Sequence, residues 1–227
     1  ATAVGLAERG QQGVTLIEAQ HVGFGASGRN GGFVFGGFSL GEAALLHQLG
    51  ADHARRLYNA TRRAVQQVRA RIARYAIDCD VVDEGVLWAN WFRDPSVLQA
   101  RQTLLKSQYH CDWEMLDRGQ LQQLLHSDRY HGALWERDAL HLHPLKWARG
   151  LAAAAGSLGV SIHEQTAATK LQALPSGWRV ETADGAVFFA RQVVLCCGGY
   201  LAGLRPAIDR SILPIATYVM ATEPLQD

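Results

Sequence analysis

An acid, Glu18, closes a short apolar run early in the chain. The run is Val14-Thr15-Leu16-Ile17-Glu18, and a glycine-rich segment follows it closely. Between positions 23 and 37, glycine stands at 23, 25, 28, 31, 32, 36 and 37. That density is costly in chain entropy, so it marks tight turns or close approach of backbone to something else. Within it, Ser27-Gly28-Arg29-Asn30-Gly31-Gly32 sets small residues beside a fixed positive charge and an amide. Backbone N–H groups in such a loop can face phosphate oxygens or an anionic ring, with Asn30 offering both donor and acceptor. Glu18 stands where dinucleotide-binding folds accept hydrogen bonds from ribose hydroxyls. A solvent-facing acid that merely ends a strand fits the same position, and a bare glycine loop is also an ordinary turn. The usual partner of such an acid, a Gly-x-Gly-x-x-Gly turn about 20 residues earlier, is expected ahead of Ala1.

Other constellations carry less. His141 and His143, with His131 and Glu136 nearby, lack a third ligand at helical or loop spacing, so no metal site is expected. Trp88, Trp91, Trp113, Trp135 and Trp147 could line a pocket for a cation, but core packing accounts for each of them and is the preferred reading. Arg55, Arg56, Arg62, Arg63, Arg69, Arg71 and Arg74 lie mostly off the apolar stripe of one helix, as on a solvated face.

These residues need elements to hold them. The apolar run ending in Glu18 reads as a buried parallel strand, preceded by a helix over residues 2–9. Leu57, Thr61, Val65, Val68, Ile72 and Tyr75 mark one face of a long helix. Asp94-Pro95 opens another, with Asp94 as cap and Pro95 at its first position. Strands are expected around Gly85 and over 113–116 and 132–135, with a helix over 117–125 between the last two. Pro144 starts a helix that Gly159 ends. Strands follow at 160–163, 169–174, 178–182 and 187–189, with turns at Ser176-Gly177 and Asp184-Gly185. Residues 191–197 read as a further continuous apolar strand, closed by Gly198-Gly199, with Cys196 and Cys197 buried in it as small hydrophobes.

The composition sets limits. The 22 Lys and Arg against 21 Asp and Glu give a net charge of +1, without the basic excess of a nucleic-acid binder. Hydrophobic residues make up 48%, enough for a real core. No apolar run approaches the roughly 18 residues of a membrane span, so no membrane partner is expected. Four cysteines without Cys-x-x-Cys spacing, and no visible signal peptide, favour a reducing, cytoplasmic setting.

Four stretches together resemble the FAD-dependent amine and amino-acid oxidases of the D-amino-acid oxidase superfamily, nearest to its gamma-glutamylputrescine oxidase-like branch. They are VTLIEA at 14–19, GASGRNGG at 25–32, VVLCCGGY at 193–200 and LPIATYVMATEPL at 213–225; HPLKWARGL at 143–151 is similar too. The resemblance implies an α/β fold: a Rossmann-like FAD-binding domain, incomplete here, interrupted by an α+β substrate domain. The divisions expected are 1–77 and 160–205 for the FAD-binding domain, 78–159 for the first part of the substrate domain, and 206–227 for the start of its second segment. The resemblance further implies that Glu18 and Ala19 lie at the adenosine ribose. Ser27, Gly28, Arg29, Asn30, Gly31 and Gly32 would line the pyrophosphate and flavin, Ala168 would offer its backbone to the adenine, and Gly198 and Gly199 would let the chain pass close to the cofactor. Cys196-Cys197 replaces the more usual Ala-Thr.

The activity so implied is oxidation of a small amine or amino acid, with hydride transfer to FAD, hydrolysis of the imine, and molecular oxygen as electron acceptor giving hydrogen peroxide. Catalytic side chains are expected beyond Asp227, and none is assigned. Residues 1–227 alone are expected to be poorly soluble and unable to hold FAD. Two other readings stay open: a remnant of the fold that binds or interacts without catalysis, and an NAD-type dehydrogenase, from which Glu18 alone does not separate it.

Overall fold

In the structure, a computed structural model, residues 1–220, 222 and 223 are described. The elements in chain order are α1 (Thr2–Ala7), β1 (Thr15–Ile17), β2 (Phe33–Val34), α2 (Glu42–Arg74), β3 (Val86–Ala89), α3 (Ser96–Leu104), β4 (Glu114–Leu116) and α4 (Arg118–Leu124). They continue with β5 (Ala133–Glu136), β6 (Leu140–His141), α5 (Pro144–Ser157), β7 (Ser161–His163), β8 (Ala168–Leu174), β9 (Gly177–Thr182), β10 (Val187–Ala190) and α6 (Pro206–Asp209). They form two compact units, Ala1–Gly31 with Pro144–Asp227, and Gly32–His143.

The first unit is organised on the parallel pair β1–β7 and the antiparallel meander β8–β9–β10. Short apolar runs give β1 and β7 little to bury alone, so flanking helices supply the cover. On α1, Ala3, Val4 and Gly5 are buried, and on α5 Leu151, Ala154 and Ala155 are buried where the two helices pack. Small residues on both faces allow close approach. The meander turns at Asp184-Gly185, where Asp184 Oδ1 accepts the Ala186 N–H at 3.2 Å, the self-capping that makes Asp-Gly a hairpin signal.

The second unit holds the antiparallel sheet β3–β5–β4, the short pair β2–β6, and α2, α3 and α4. Its core gathers Tyr58 from α2, Leu98 from α3, Leu105 and Tyr109 from a π-helical turn (Leu105–Tyr109), and Trp113 and Leu134 from the sheet side. Gly50, at φ 72°, breaks the helical geometry inside α2, and the long stripe from Leu57 onward runs beyond that kink.

Several elements differ from the sequence reading. The units divide after Gly31 and His143, whereas the sequence reading divides after 77, 159 and 205. The reason lies in packing: α2 buries Leu45, Ala54 and Tyr58 among α+β elements, and α5 packs on α1. Pro95 is the cap of α3 rather than its first residue, and the Asp94 carboxylate takes both the N–H (2.9 Å) and hydroxyl (2.7 Å) of Ser96. Residues 192–197 form no ladder, and Cys196 and Cys197 are exposed. Apolar composition records a wish for burial, while a strand exists only through a paired neighbour, and among the described residues none lies along this run. The resembling stretch 213–225 and the segment 206–227 end partly outside the described residues, at 221 and 224–227.

Candidate functional site: the carboxyl end of the parallel strand pair

The register of β1 and β7 runs Thr15↔Ser161, Leu16↔Ile162 and Ile17↔His163. Glu18 extends it: its N–H donates to the His163 carbonyl at 2.8 Å, and its own carbonyl accepts the Thr166 N–H at 2.9 Å. The backbone is thereby fixed while the side chain stays half-buried. Glu18 Oε1 accepts the Gln20 N–H at 3.1 Å, which orients the carboxylate at the carboxyl end of the strands. Ligands of open α/β sheets bind at that end. Ala19, beside it, is exposed.

The glycine loop leaves from there. Gly23 has φ +80°, and a Cβ on it would stand 2.6 Å from Leu145 Cδ1. A Cβ on Gly28 would stand 2.1 Å from the Gly23 carbonyl oxygen, so the loop folds backbone against backbone. Turn bonds support it, from the Gly28 N–H to the Gly25 carbonyl (3.2 Å) and from the Arg29 N–H to the Ala26 carbonyl (3.3 Å). Asn30 spends its amide on the loop itself, donating to the carbonyls of Ala26 (2.8 Å) and Ser27 (3.2 Å). The Arg29 guanidinium lies 4.4 Å from the Phe24 ring centroid, and Arg29, Ser27 and Gly31 are exposed. Gly32 begins the second unit. It is buried at φ +73°, its carbonyl accepts the Leu142 N–H at 3.0 Å, and a Cβ there would stand 1.9 Å from the Leu142 oxygen.

Gly198 and Gly199 lie in a 3₁₀ turn (Gly198–Tyr200), with Gly198 at φ +55° and both exposed. Tyr200 in the same turn places its ring 3.3 Å from where a Gly25 Cβ would be. The two glycine motifs, distant in sequence, therefore meet in one unit. Ala168 opens β8 opposite Thr182, and Thr166, just before it, is bonded to Glu18.

Sequence reasoning missed three residues here: Leu145, which packs on Gly23; Tyr200, which lies against Gly25; and Glu164, whose Oε1 accepts the Val22 N–H at 2.6 Å. Glu164 alone had a readable signal, an acid directly after a short strand, as Glu18 is after β1.

Three of the remaining candidates, Glu136, Trp88 and Trp113, have structural uses in the second unit. Glu136 is buried, and its carboxylate accepts the Trp88 indole N–H at 3.0 Å and the Gly36 N–H at 3.3 Å, while burial pushes its carboxyl pKa up. Trp88 and Trp113 stack with centroids 6.0 Å apart, and the Arg101 guanidinium sits 4.3 Å and 4.9 Å from them. The cation beside these rings is the chain's own.

An acid at a strand end, a loop of small residues packed main chain on main chain, and an exposed arginine fit a dinucleotide carrying a pyrophosphate. The comparison with known proteins agrees. Residues 1–227 match the family described as FAD dependent oxidoreductase. The chain belongs to that family. It is 34% identical to the probable oxidoreductase OrdL of Haemophilus influenzae over 98% of this chain and 52% of that protein. It is 33% identical to the gamma-glutamylputrescine oxidoreductase of Escherichia coli over 100% of this chain and 53% of that protein. The fold matches the glycine oxidase of Geobacillus kaustophilus with a TM-score of 0.69 at 22% identity, covering 91% of this chain and 54% of that one. The chain thus spans about half the length of the curated relatives it matches. FAD is the cofactor of this family, and no described helix is long and apolar enough to cross a membrane.

Proposed function

We propose that the whole protein is an FAD-dependent oxidoreductase that oxidises an amine or amino acid. One observation carries the reading: Glu18 stands at the carboxyl end of β1, the glycine loop 23–31 follows it, and Tyr200 of the turn Gly198–Tyr200 lies against Gly25 of that loop. The residues at this end of β1 would hold FAD. The bound flavin would supply the redox chemistry: a two-electron acceptor for the hydride on the carbon bearing the substrate nitrogen, with dioxygen as final acceptor giving hydrogen peroxide and water hydrolysing the imine. The chain's own residues bind and orient. Glu18 accepts hydrogen bonds from ribose hydroxyls, with Ala19 presenting no bulk beside it. Ser27, Gly28, Arg29, Asn30, Gly31 and Gly32 form the phosphate- and flavin-facing segment, Asn30 by holding its shape and Arg29 by supplying positive charge. The Ala168 backbone lies toward the adenine, and Gly198 and Gly199 keep side chains out of the way.

The substrate follows from the similarity to a gamma-glutamylputrescine oxidoreductase: a gamma-glutamylated polyamine is the amine to try first. A reducing, cytoplasmic setting belongs to this reading, on the few cysteines and their lack of Cys-x-x-Cys spacing. The experiment is amine-dependent hydrogen peroxide release by purified full-length protein supplied with FAD, over a panel containing gamma-glutamylputrescine, free polyamines and amino acids. Release with one of them is expected; flavin-loaded protein that turns over none of them contradicts the activity.

A further inference from the structure

We infer that Glu164 is a positioning residue for the glycine loop, acting on the cofactor only through the peptide of Val22; the link to the cofactor rests on the FAD reading above. Four hydrogen bonds join the chain leaving β1 to the chain leaving β7. Three are between backbones: Glu18 N–H to His163 O at 2.8 Å, Thr166 N–H to Glu18 O at 2.9 Å, and Gln165 N–H to Gln20 O at 2.7 Å. The fourth reaches furthest along the loop and is the only one made by a side chain, Val22 N–H to Glu164 Oε1 at 2.6 Å. A left-handed Gln165, at φ 53°, turns the segment so that its N–H meets Gln20. The Thr166 hydroxyl closes that turn on the Glu164 carbonyl at 2.9 Å. A non-glycine residue in this region of φ persists only where its surroundings over-determine it. The turn is thus a shaped support for the loop.

The consequence runs forward from Val22. The next residue is Gly23, whose φ of +80° and contact with Leu145 leave it little freedom. Its carbonyl oxygen is the atom against which Gly28 packs, at a distance no Cβ would allow. Holding the Val22 N–H therefore limits how far the Gly23 carbonyl can move, and that carbonyl is what Gly28 packs against. What Glu164 supplies is an acceptor oxygen at a given reach. Charge alone does not provide it, and Glu164 itself is exposed, so its replacement leaves the core intact.

The test uses the full-length protein and three variants: Glu164→Ala removes the acceptor, Glu164→Asp keeps charge but shortens the reach, and Glu164→Gln keeps an acceptor oxygen without charge. FAD affinity, read by quenching of flavin fluorescence, is expected to weaken about tenfold in the Ala and Asp variants and to stay within about threefold in the Gln variant, the scale of one hydrogen bond to a charged group. Independently of FAD, amide hydrogen exchange over residues 20–28 in the cofactor-free protein should quicken in the Ala and Asp variants and not in the Gln variant. Unchanged affinity and exchange in Glu164→Ala overturn the proposal. So does a Gln variant as impaired as the Ala variant while the Asp variant matches the parent, because charge would then be what matters. A parent protein that binds no FAD sinks the cofactor reading, and the exchange measurement then decides alone on the clamp.

Discussion

A methyl group at position 28 has nowhere to go, because the Gly23 carbonyl oxygen already lies 2.1 Å from where it would sit. Gly28→Ala must open the loop, at about 1–3 kcal/mol for an overpacked site, and the opened loop is expected to hold FAD about tenfold or more weakly. Flavin binding by the purified variant, beside an unchanged far-ultraviolet spectrum, checks this; parent-like affinity would show that the loop's packing does not matter. Among the described residues, no atom beyond its chain neighbours lies within 4 Å of a Cβ at Gly198. In the cofactor-free protein Gly198→Ala is therefore expected to cost the smaller, conformational sum of about 1–2 kcal/mol that its φ of +55° imposes. A third residue titrates. Arg69 Nε donates to Asp83 Oδ2 at 2.8 Å, and that bond holds the Asp83 carboxyl below the usual carboxylate range. A depressed folded-state value contributes stability above the unfolded carboxyl's pKa of about 3.9 and loses it as pH falls through the folded value. The Asp83 side chain is half exposed, so screening limits the pair to about 0.2–1 kcal/mol. Asp83→Asn should lower thermal stability by that much at about pH 7 and converge with the parent as pH falls below the depressed folded-state pKa. A gap that persists in acid would contradict the linkage.

Among the elements, α4 depends on its ends. It is seven residues long, too short to persist on propensity alone. Asp117 Oδ1 accepts the Gln120 N–H at 2.8 Å, and Gln120 Oε1 accepts the Asp117 N–H at 2.9 Å. Asp117→Ala is expected to cost about 1 kcal/mol in denaturant unfolding, and a change below about 0.3 kcal/mol would show the cap to be idle. That helix was legible in the sequence, over 117–125, and the structure adds the reciprocal cap that starts it. Also legible were β1, from a continuous apolar run, and the β9–β10 hairpin, from Asp184-Gly185. The pair β2–β6 was not: each strand is two residues long, and Phe33 meets His141 across more than a hundred residues of chain. No periodicity can register in so short a strand. Residues 192–197 failed in the opposite way, since their apolar pattern is clear and the pairing it calls for is absent among the described residues.

At the scale of the whole molecule, the glycine motifs pointed to the family before any fold was known, because GASGRNGG and CCGGY constrain backbone as well as chemistry. Which residues hold those motifs in shape was hidden. Tyr200 against Gly25 and Glu164 on Val22 are contacts between distant stretches, and neither residue type announces them. Within the site, the Asn30 amide donates to the loop's own carbonyls, and Gly32 stands at the start of the second unit. On the reading proposed above, these residues assemble an FAD site in the whole protein, and visible absorbance of purified full-length protein after incubation with FAD and gel filtration tests it. A flavin spectrum that elutes with the protein, and is lost in Gly28→Ala, is the result predicted; a colourless protein peak in the parent would contradict it.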